Sequence, residues 1–503
     1  MQSVIEVESG RIAGRAHNGV FAFKGVPYAA STERHGRFMA PVPAMAWSGV
    51  RQVTDYGPEC PQGNGRSRSS VPLSLDMIRF YWSAAGSRQA QSEACLTLNI
   101  WTPALDNRRR AVMVWLHGGG FSFGSAASRL YDGARLAREG EVVLVSLNHR
   151  LGPFGFLDVS SIGGDDFANA GVVGMLDIVR ALEWVRDNIS QFGGDPGNVT
   201  VFGESGGAAK ASLLLCMPSA QGLFHKAILQ SAPRMSLPDR EQAEQVCREL
   251  VQSLGRVGAP LSELQTIPAA HVLAAAALQQ RSVLQAPFSP VIGAALPDPN
   301  VGKLHGDAIP IIVGSNAEET SLLLGLLDQR DGESAFALRQ ASLAPRLQAL
   351  QLCADAELPD MIAQYKAAYP SACPSAIFFK ITTDVLFANE VSRICEGRAV
   401  RGAAPTWVYD FTWRSSALGG KLGATHSLEI PLVFRNLDRG RSMLGDLAKA
   451  RPLMEVMSSA WLNFAKTGDP GLGSAWLAYD LVKRPRMVFG GKRDCDDQEP
   501  LRG

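Results

Sequence analysis

The pentapeptide Gly203-Glu204-Ser205-Gly206-Gly207 sets one hydroxyl among residues with little or no side chain. It follows the β-branched run NVTVF (198–202) and precedes AAKASLLL (208–215), which suits a helix. A serine at Gly-x-Ser-x-Gly between a strand and a helix is a nucleophile elbow. Its backbone is held in a strained conformation that lifts Oγ above the sheet, and its neighbours must be small for the turn to close. The helix that follows turns its positive end toward the hydroxyl and favours negative charge developing there. The chemistry this arrangement serves is acyl transfer: an activated hydroxyl attacks a carbonyl and forms an acyl-enzyme.

Such an attack needs amide donors for the oxyanion and a base for the hydroxyl. The apolar run AVMVWL (111–116) leads into His117-Gly118-Gly119-Gly120-Phe121, a glycine loop that lets backbone approach a substrate closely. The donors expected are the amides of Gly119, Gly120 and Gly206. Eight histidines occur, at 17, 35, 117, 149, 225, 271, 305 and 426. Chains that use this elbow run nucleophile, acid, then histidine. With the acid after the run IPIIV (309–313), only His426, in GATHSLEIPLVF, lies downstream. The acid is Glu318 or Glu319 of GSNAEET, and the residues alone leave both open. This chemistry needs no cofactor and no metal, and the glycine loop lacks the G-x-x-x-x-G-K-[ST] pattern of a phosphate loop.

The elements that must position these groups are short apolar strands, at 111–116, 141–147, 198–202, 226–230, 309–313 and 406–411. Helical segments separate them. The clearest is GMLDIVRALEWVRDNISQF, where Leu176, Val179, Leu182, Val185 and Ile189 form one apolar stripe. At the N-terminus, alternating strands turn at Ser9-Gly10 and Asn18-Gly19. The fold expected is α/β: a large, mostly parallel sheet with an N-terminal antiparallel portion, helices on both faces and helical insertions over the site. The glycine-rich and acidic motifs follow strands, so they converge at the carboxyl edge of the sheet.

The 503 residues carry a net charge of +1, with 19% charged and 46% hydrophobic residues. This balance speaks against nucleic-acid and acidic-membrane binders. No run has the pattern of a signal peptide or the length of a membrane span, so a cytoplasmic monomer or homodimer acting on a small molecule is expected. The eight cysteines show no CxxC pair and no zinc spacing. Phe121, Phe123, Trp82 and Phe288 are candidates to line an apolar substrate pocket. PQGNGRSRSS (61–70) reads as a polar surface loop.

These motifs resemble the type-B carboxylesterase family, which includes cholinesterases and bacterial para-nitrobenzyl esterases. The likeness covers most of the chain. FGGDPGNVTVFGESGG (192–207) matches the family's serine signature, and SEACLTLNIWTP (92–103) its second, with Ala94 where an acid usually precedes the cysteine. WLHGGGFSFGS, NHRLGPFGFL and GVVGMLDIVRALEWVRDNI match further. The resemblance implies one α/β-hydrolase catalytic domain over 1–503, with insertions at roughly 61–91, 235–290 and 321–400. It implies Ser205 as nucleophile, Glu319 as acid and His426 as base, with Glu204 and Ser231 supporting them. A threonine follows Glu319 and Ser427 follows His426, where the family tends to have glycine. Two buried ion pairs are implied, Arg37 with Glu93 and Arg150 with Asp177, each destabilising by about 3–5 kcal/mol if broken. Cys60 and Cys95 stand where the family often forms a disulfide, around a loop whose FYWS (80–83) is a candidate lid. SPVIGAALP (289–297) lies where the family builds its acyl pocket, and its small residues leave room for a bulky acid. The expected activity is hydrolysis of small to medium apolar or aromatic esters. The alternatives are the same chemistry on carbamate, amide or thioester bonds, and a catalytically silent adhesion or scaffold relative.

Overall fold

Alternation of side chains along the central strands builds two cores from one sheet. In β6 (Arg110–Leu116), Val112, Val114 and Leu116 face one way and Met113 and Trp115 the other, and all five are fully buried. Such a strand must be covered on both faces. The computed structural model, which describes residues 2–63, 90–279, 287–299, 305–325 and 333–491, shows that cover.

The chain begins as an antiparallel meander of β1 (Gln2–Val7), β2 (Gly10–His17) and β3 (Val20–Pro27). Asn18 and Gly19 join β2 to β3 with φ of 49° and 74°, the left-handed pair that a two-residue hairpin turn requires. β4 (Val50–Gln52) adds parallel to β2, and β5 (Thr97–Thr102) lies antiparallel to both β3 and β7 (Val143–Leu147). From β7 onward all pairs are parallel: β7, β6, β8 (Gly194–Glu204), β9 (Lys226–Gln230), β10 (Ile311–Asn316), β11 (Thr406–Phe411) and β12 (Met487–Phe489). The expected strands are all present. β8 starts earlier than NVTVF suggests, because Gly194 already pairs with Arg110.

Helix α1 (Val173–Asn188) packs on the Val112 face and ends through a 3₁₀ turn at Gly193, whose φ is 75°. Val179, Leu182, Val185 and Ile189 of its stripe are buried; Leu176 is only half-buried, while Met175, Ile178 and Trp184 are buried as well. Helix α2 (Gly206–Leu214) leaves the elbow, and α3 (Glu319–Gly325) follows β10. Helix α4 (Leu447–Thr467) covers the Trp115 face through Met457, Trp461 and Phe464. Burial of each such side chain stabilises by about 1.5–3 kcal/mol. A third, separate cluster, including Leu324, Leu343, Phe378 and Ile381, gathers in the 321–400 segment.

Both implied ion pairs are present and buried. Arg37 holds Glu93 through two bonds of 2.5 and 2.7 Å, and Arg150 holds Asp177 through bonds of 2.6 and 2.8 Å. The implied disulfide is not: Cys60 and Cys95 are buried free thiols. Cys60 Sγ instead accepts the Leu151 N–H at 3.2 Å, and burial raises its thiol far above the usual range. Most of the candidate lid, with FYWS and Trp82, lies outside the described residues.

Candidate active site

Ser205 stands between β8 and α2 with φ 57° and ψ −123°. A non-glycine residue there carries strain of about 1–3 kcal/mol. The surroundings enforce it: the Ser205 N–H donates to Gln230 O at 2.9 Å on neighbouring β9. The small neighbours are sterically required. A Cβ on Gly207 would lie 2.0 Å from Leu116 O, and one on Gly203 would lie 2.5 Å from the carbonyl carbon of Gly207. A Cβ on Gly206 would lie 2.3 Å from Gly120 N, so the glycine loop after β6 rests directly on the first residue of α2. Gly119 and Gly120 take φ of 95° and 59°, and a Cβ on Gly119 would lie 2.1 Å from Phe123 O.

His426 reaches the site from a loop that β10 and α3 clamp. The Glu318 N–H donates to Ala424 O at 3.0 Å, and the Glu318 carboxylate accepts the Ala424 N–H at 2.7 Å. Asn316 Nδ2 donates to Thr425 O at 2.7 Å, and the Leu322 N–H to Thr425 Oγ1 at 2.9 Å. The two adjacent glutamates thereby take different tasks. Glu318, also paired with Arg414, grips the loop's backbone. Glu319 Oε2 lies 2.6 Å from His426 Nδ1, while its Oε1 accepts the Asn316 N–H at 2.7 Å.

The other imidazole nitrogen faces the elbow, with Nε2 3.2 Å from Glu204 Oε1. Ser427 Oγ donates to that same oxygen at 2.5 Å. Ser205 Oγ, on a half-buried residue, makes no side-chain hydrogen bond among the described residues. Burial pulls the His426 imidazole down, but Glu204 and Glu319 outweigh it and hold it at about 9. Burial pushes the Glu204 carboxyl up, which His426 opposes and Glu429 reinforces. Glu204, Glu319 and Glu429 are all fully buried, so one imidazole sits among three carboxyls.

Sequence reasoning missed the polar layer beneath. Glu429 accepts from Asn316 Nδ2 at 2.8 Å and Gln230 Nε2 at 3.1 Å, and Trp461 Nε1 donates to Gln230 Oε1 at 3.0 Å. The available signal was an amide closing each of two apolar strands, Gln230 in KAILQ and Asn316 after IPIIV. Ser231, implied as a supporting residue, directly follows β9. The side chain is fully buried without a partner, and it is the Ser231 N–H, at φ 52°, that donates to Gly314 O at 2.8 Å. Phe121 is buried with its ring edge-on to Phe156 at 5.3 Å, and Phe123 packs against Gly119. Phe288 is 4% exposed and belongs to the core cluster on the α1 side. Phe387, which the sequence did not single out, stacks obliquely on His426 at 5.1 Å.

A strained serine, a glycine cradle and a carboxylate-bound imidazole at one sheet edge have clear counterparts among known proteins. The family model described as "Carboxylesterase family" matches residues 1–494. The para-nitrobenzyl esterase of Bacillus subtilis (strain 168) is 35% identical over 501 residues, covering 97% of this chain and 94% of that protein. The fumonisin B1 esterase of Sphingopyxis macrogoltabida is 33% identical, covering 97% and 86%. The solved structure of a Geobacillus stearothermophilus carboxylesterase superimposes with a TM-score of 0.81 at 35% identity, covering 97% of this chain and 96% of that one. This chain belongs to the carboxylesterase family, and its chemistry is the serine-based hydrolysis of carboxylic esters.

Proposed function

We propose that Ser205 is the nucleophile, His426 the general base and Glu319 the acid that orients it. Ser205 Oγ attacks the ester carbonyl as His426 Nε2 takes its proton. The resulting oxyanion is held by the amides of Gly119, Gly120 and Gly206, each worth about 10²–10³ in turnover. His426 then protonates the departing alcohol. Water, deprotonated by the same imidazole, releases the acid and restores the serine. Glu319 accepts the Nδ1–H, fixes that tautomer and stabilises the imidazolium. The observation that carries this reading is the 2.6 Å contact between Glu319 Oε2 and His426 Nδ1, with Nε2 turned toward the residue next to Ser205. The apo distance from Oγ to the base is commonly long in such sites and tightens around substrate.

The substrates we infer are small to medium esters with apolar or aromatic groups. Phe387 against His426 and Phe121 beside the glycine loop supply apolar surface, and the Bacillus relative is named for para-nitrobenzyl esters. The test is a kcat/KM profile over para-nitrophenyl esters from acetate to laurate, with a fluorophosphonate to label the nucleophile and Ser205→Ala as control. Hydrolysis should peak at short to medium acids, and the label should map to Ser205. A Ser205→Ala protein that hydrolyses at the parental rate, or a label on another residue, overturns the assignment.

A further inference from the structure

A fully buried lysine stands just beyond the elbow. Lys210 lies in α2, the helix that starts beside Ser205, and its side chain has no solvent exposure. Its Nζ makes one hydrogen bond, to His117 O at 3.1 Å, and sits 5.8 Å from the centre of the Phe121 ring. Among the described residues no carboxylate faces it; burial lowers the amine to about 7. A lysine buried with one acceptor and no counter-charge destabilises a fold, and an apolar residue of similar size suits such a place better. Groups that cost stability and persist are characteristic of functional sites.

The position of the acceptor indicates the use. His117 O belongs to the peptide that opens the Gly118–Gly120 loop. Three consecutive glycines have no side chains to anchor them, and Gly119 and Gly120 occupy left-handed conformations. The loop is therefore held by its ends and its carbonyls. On the far side the Phe121 carbonyl accepts the Gly152 N–H at 2.7 Å. On the near side His117 Nδ1 lies 2.8 Å from Gly118 O, and its ring stacks on His149 at 5.0 Å. Lys210 is the side chain that ties this near end to the nucleophile's own helix. We propose that Lys210 is a positioning residue for ester hydrolysis, a strut that fixes the glycine loop at its working distance from Ser205. The proposal rests on the reading of Gly119 and Gly120 as oxyanion donors.

The test uses the full chain with Lys210→Met, Lys210→Leu and Lys210→Gln, and measures Tm, kcat, KM and the affinity of a trifluoromethyl ketone that adds to the serine as an oxyanion. The apolar variants should keep or raise Tm, lower kcat by about 10- to 100-fold, and weaken the ketone by a similar factor, with KM within about two-fold. Lys210→Gln, which retains an N–H, should regain part of kcat. Opposite movement of Tm and kcat is what a purely structural lysine does not produce. Apolar variants with parental kcat and ketone affinity overturn the proposal, and so does failure of both to fold, which makes Lys210 a requirement of the fold. Gly119→Ala, read with the same ketone, separates the two ideas. If it alone loses affinity, only the Lys210 strut falls; if it keeps affinity, the oxyanion reading falls first.

Discussion

Glu204→Gln isolates the charge that faces His426 while keeping the volume and the oxygen that Ser427 bonds. Two unit charges at the 3.2 Å separation of Nε2 and Oε1 interact by about 5 kcal/mol at an effective dielectric constant of about 20. At about 1.4 kcal/mol per pH unit, that equals at most about 4 units on the imidazole. Glu204 bears only part of its charge near neutrality, because burial pushes its own carboxyl up to about 8. Glu319 remains in place on Nδ1. The expected result is therefore a drop of about 1–2 units in the His426 pKa from its raised position near 9. The base must be neutral to accept the serine proton, so activity falls as pH drops through this pKa. Removing a carboxylate that favours the imidazolium moves the acidic limb of the kcat/KM profile toward lower pH. The assay is kcat/KM for a para-nitrophenyl ester between acid and alkaline extremes, read at the isosbestic wavelength, with Tm showing that the fold is kept. An acidic limb that stays in place or moves upward would refute the coupling.

Ser205→Gly removes the strained left-handed serine and should raise stability by about 1 kcal/mol while abolishing turnover, read by thermal unfolding and ester hydrolysis. Gly206→Ala drives a Cβ to 2.3 Å from Gly120 N and should cost about 10²–10³ in kcat; a variant within three-fold of the parent removes the steric argument. Asp177→Asn leaves a buried Arg150 guanidinium uncompensated and should destabilise by about 3–5 kcal/mol in urea unfolding. His117 is held neutral by burial, down to about 3. The unfolded chain therefore binds a proton first as pH falls, and its contribution to stability is lost between pH 6.5 and 3, about 5 kcal/mol in all. His117→Gln should flatten that slope, measured by unfolding at several pH values.

The parts of the site that obey local rules were legible in the sequence. The elbow is steric, so its glycines and the strand before it are written side by side. The glycine loop sits in one contiguous motif in the same way, whereas the ion pairs join separate segments and were implied only by the family resemblance. What was not legible depends on which way a side chain points after folding. Glu318 and Glu319 differ by one position, and only the bridge between Glu318 and Thr425 decides that one carboxylate grips backbone while the other meets the imidazole. Lys210 stands in AAKASLLL without distinction, because nothing local reveals that its side chain is fully buried. Ser231 offered a hydroxyl on paper, but the left-handed turn that ends β9 puts its amide to use instead.

The seam between β10 and the His426 loop has a consequence for how such enzymes diversify. Glu319 and His426 are 107 positions apart in the chain, yet their alignment is fixed by main-chain and amide bonds made at the two ends of that span. Within the span, the part from Leu324 to Val385 contributes an apolar nucleus of its own, whereas β11 belongs to the central sheet. That part is thus a natural cassette: its helices can be lengthened, exchanged with those of a relative or reshaped for a new guest molecule, while β10, β11 and the seam to the His426 loop stay in tune.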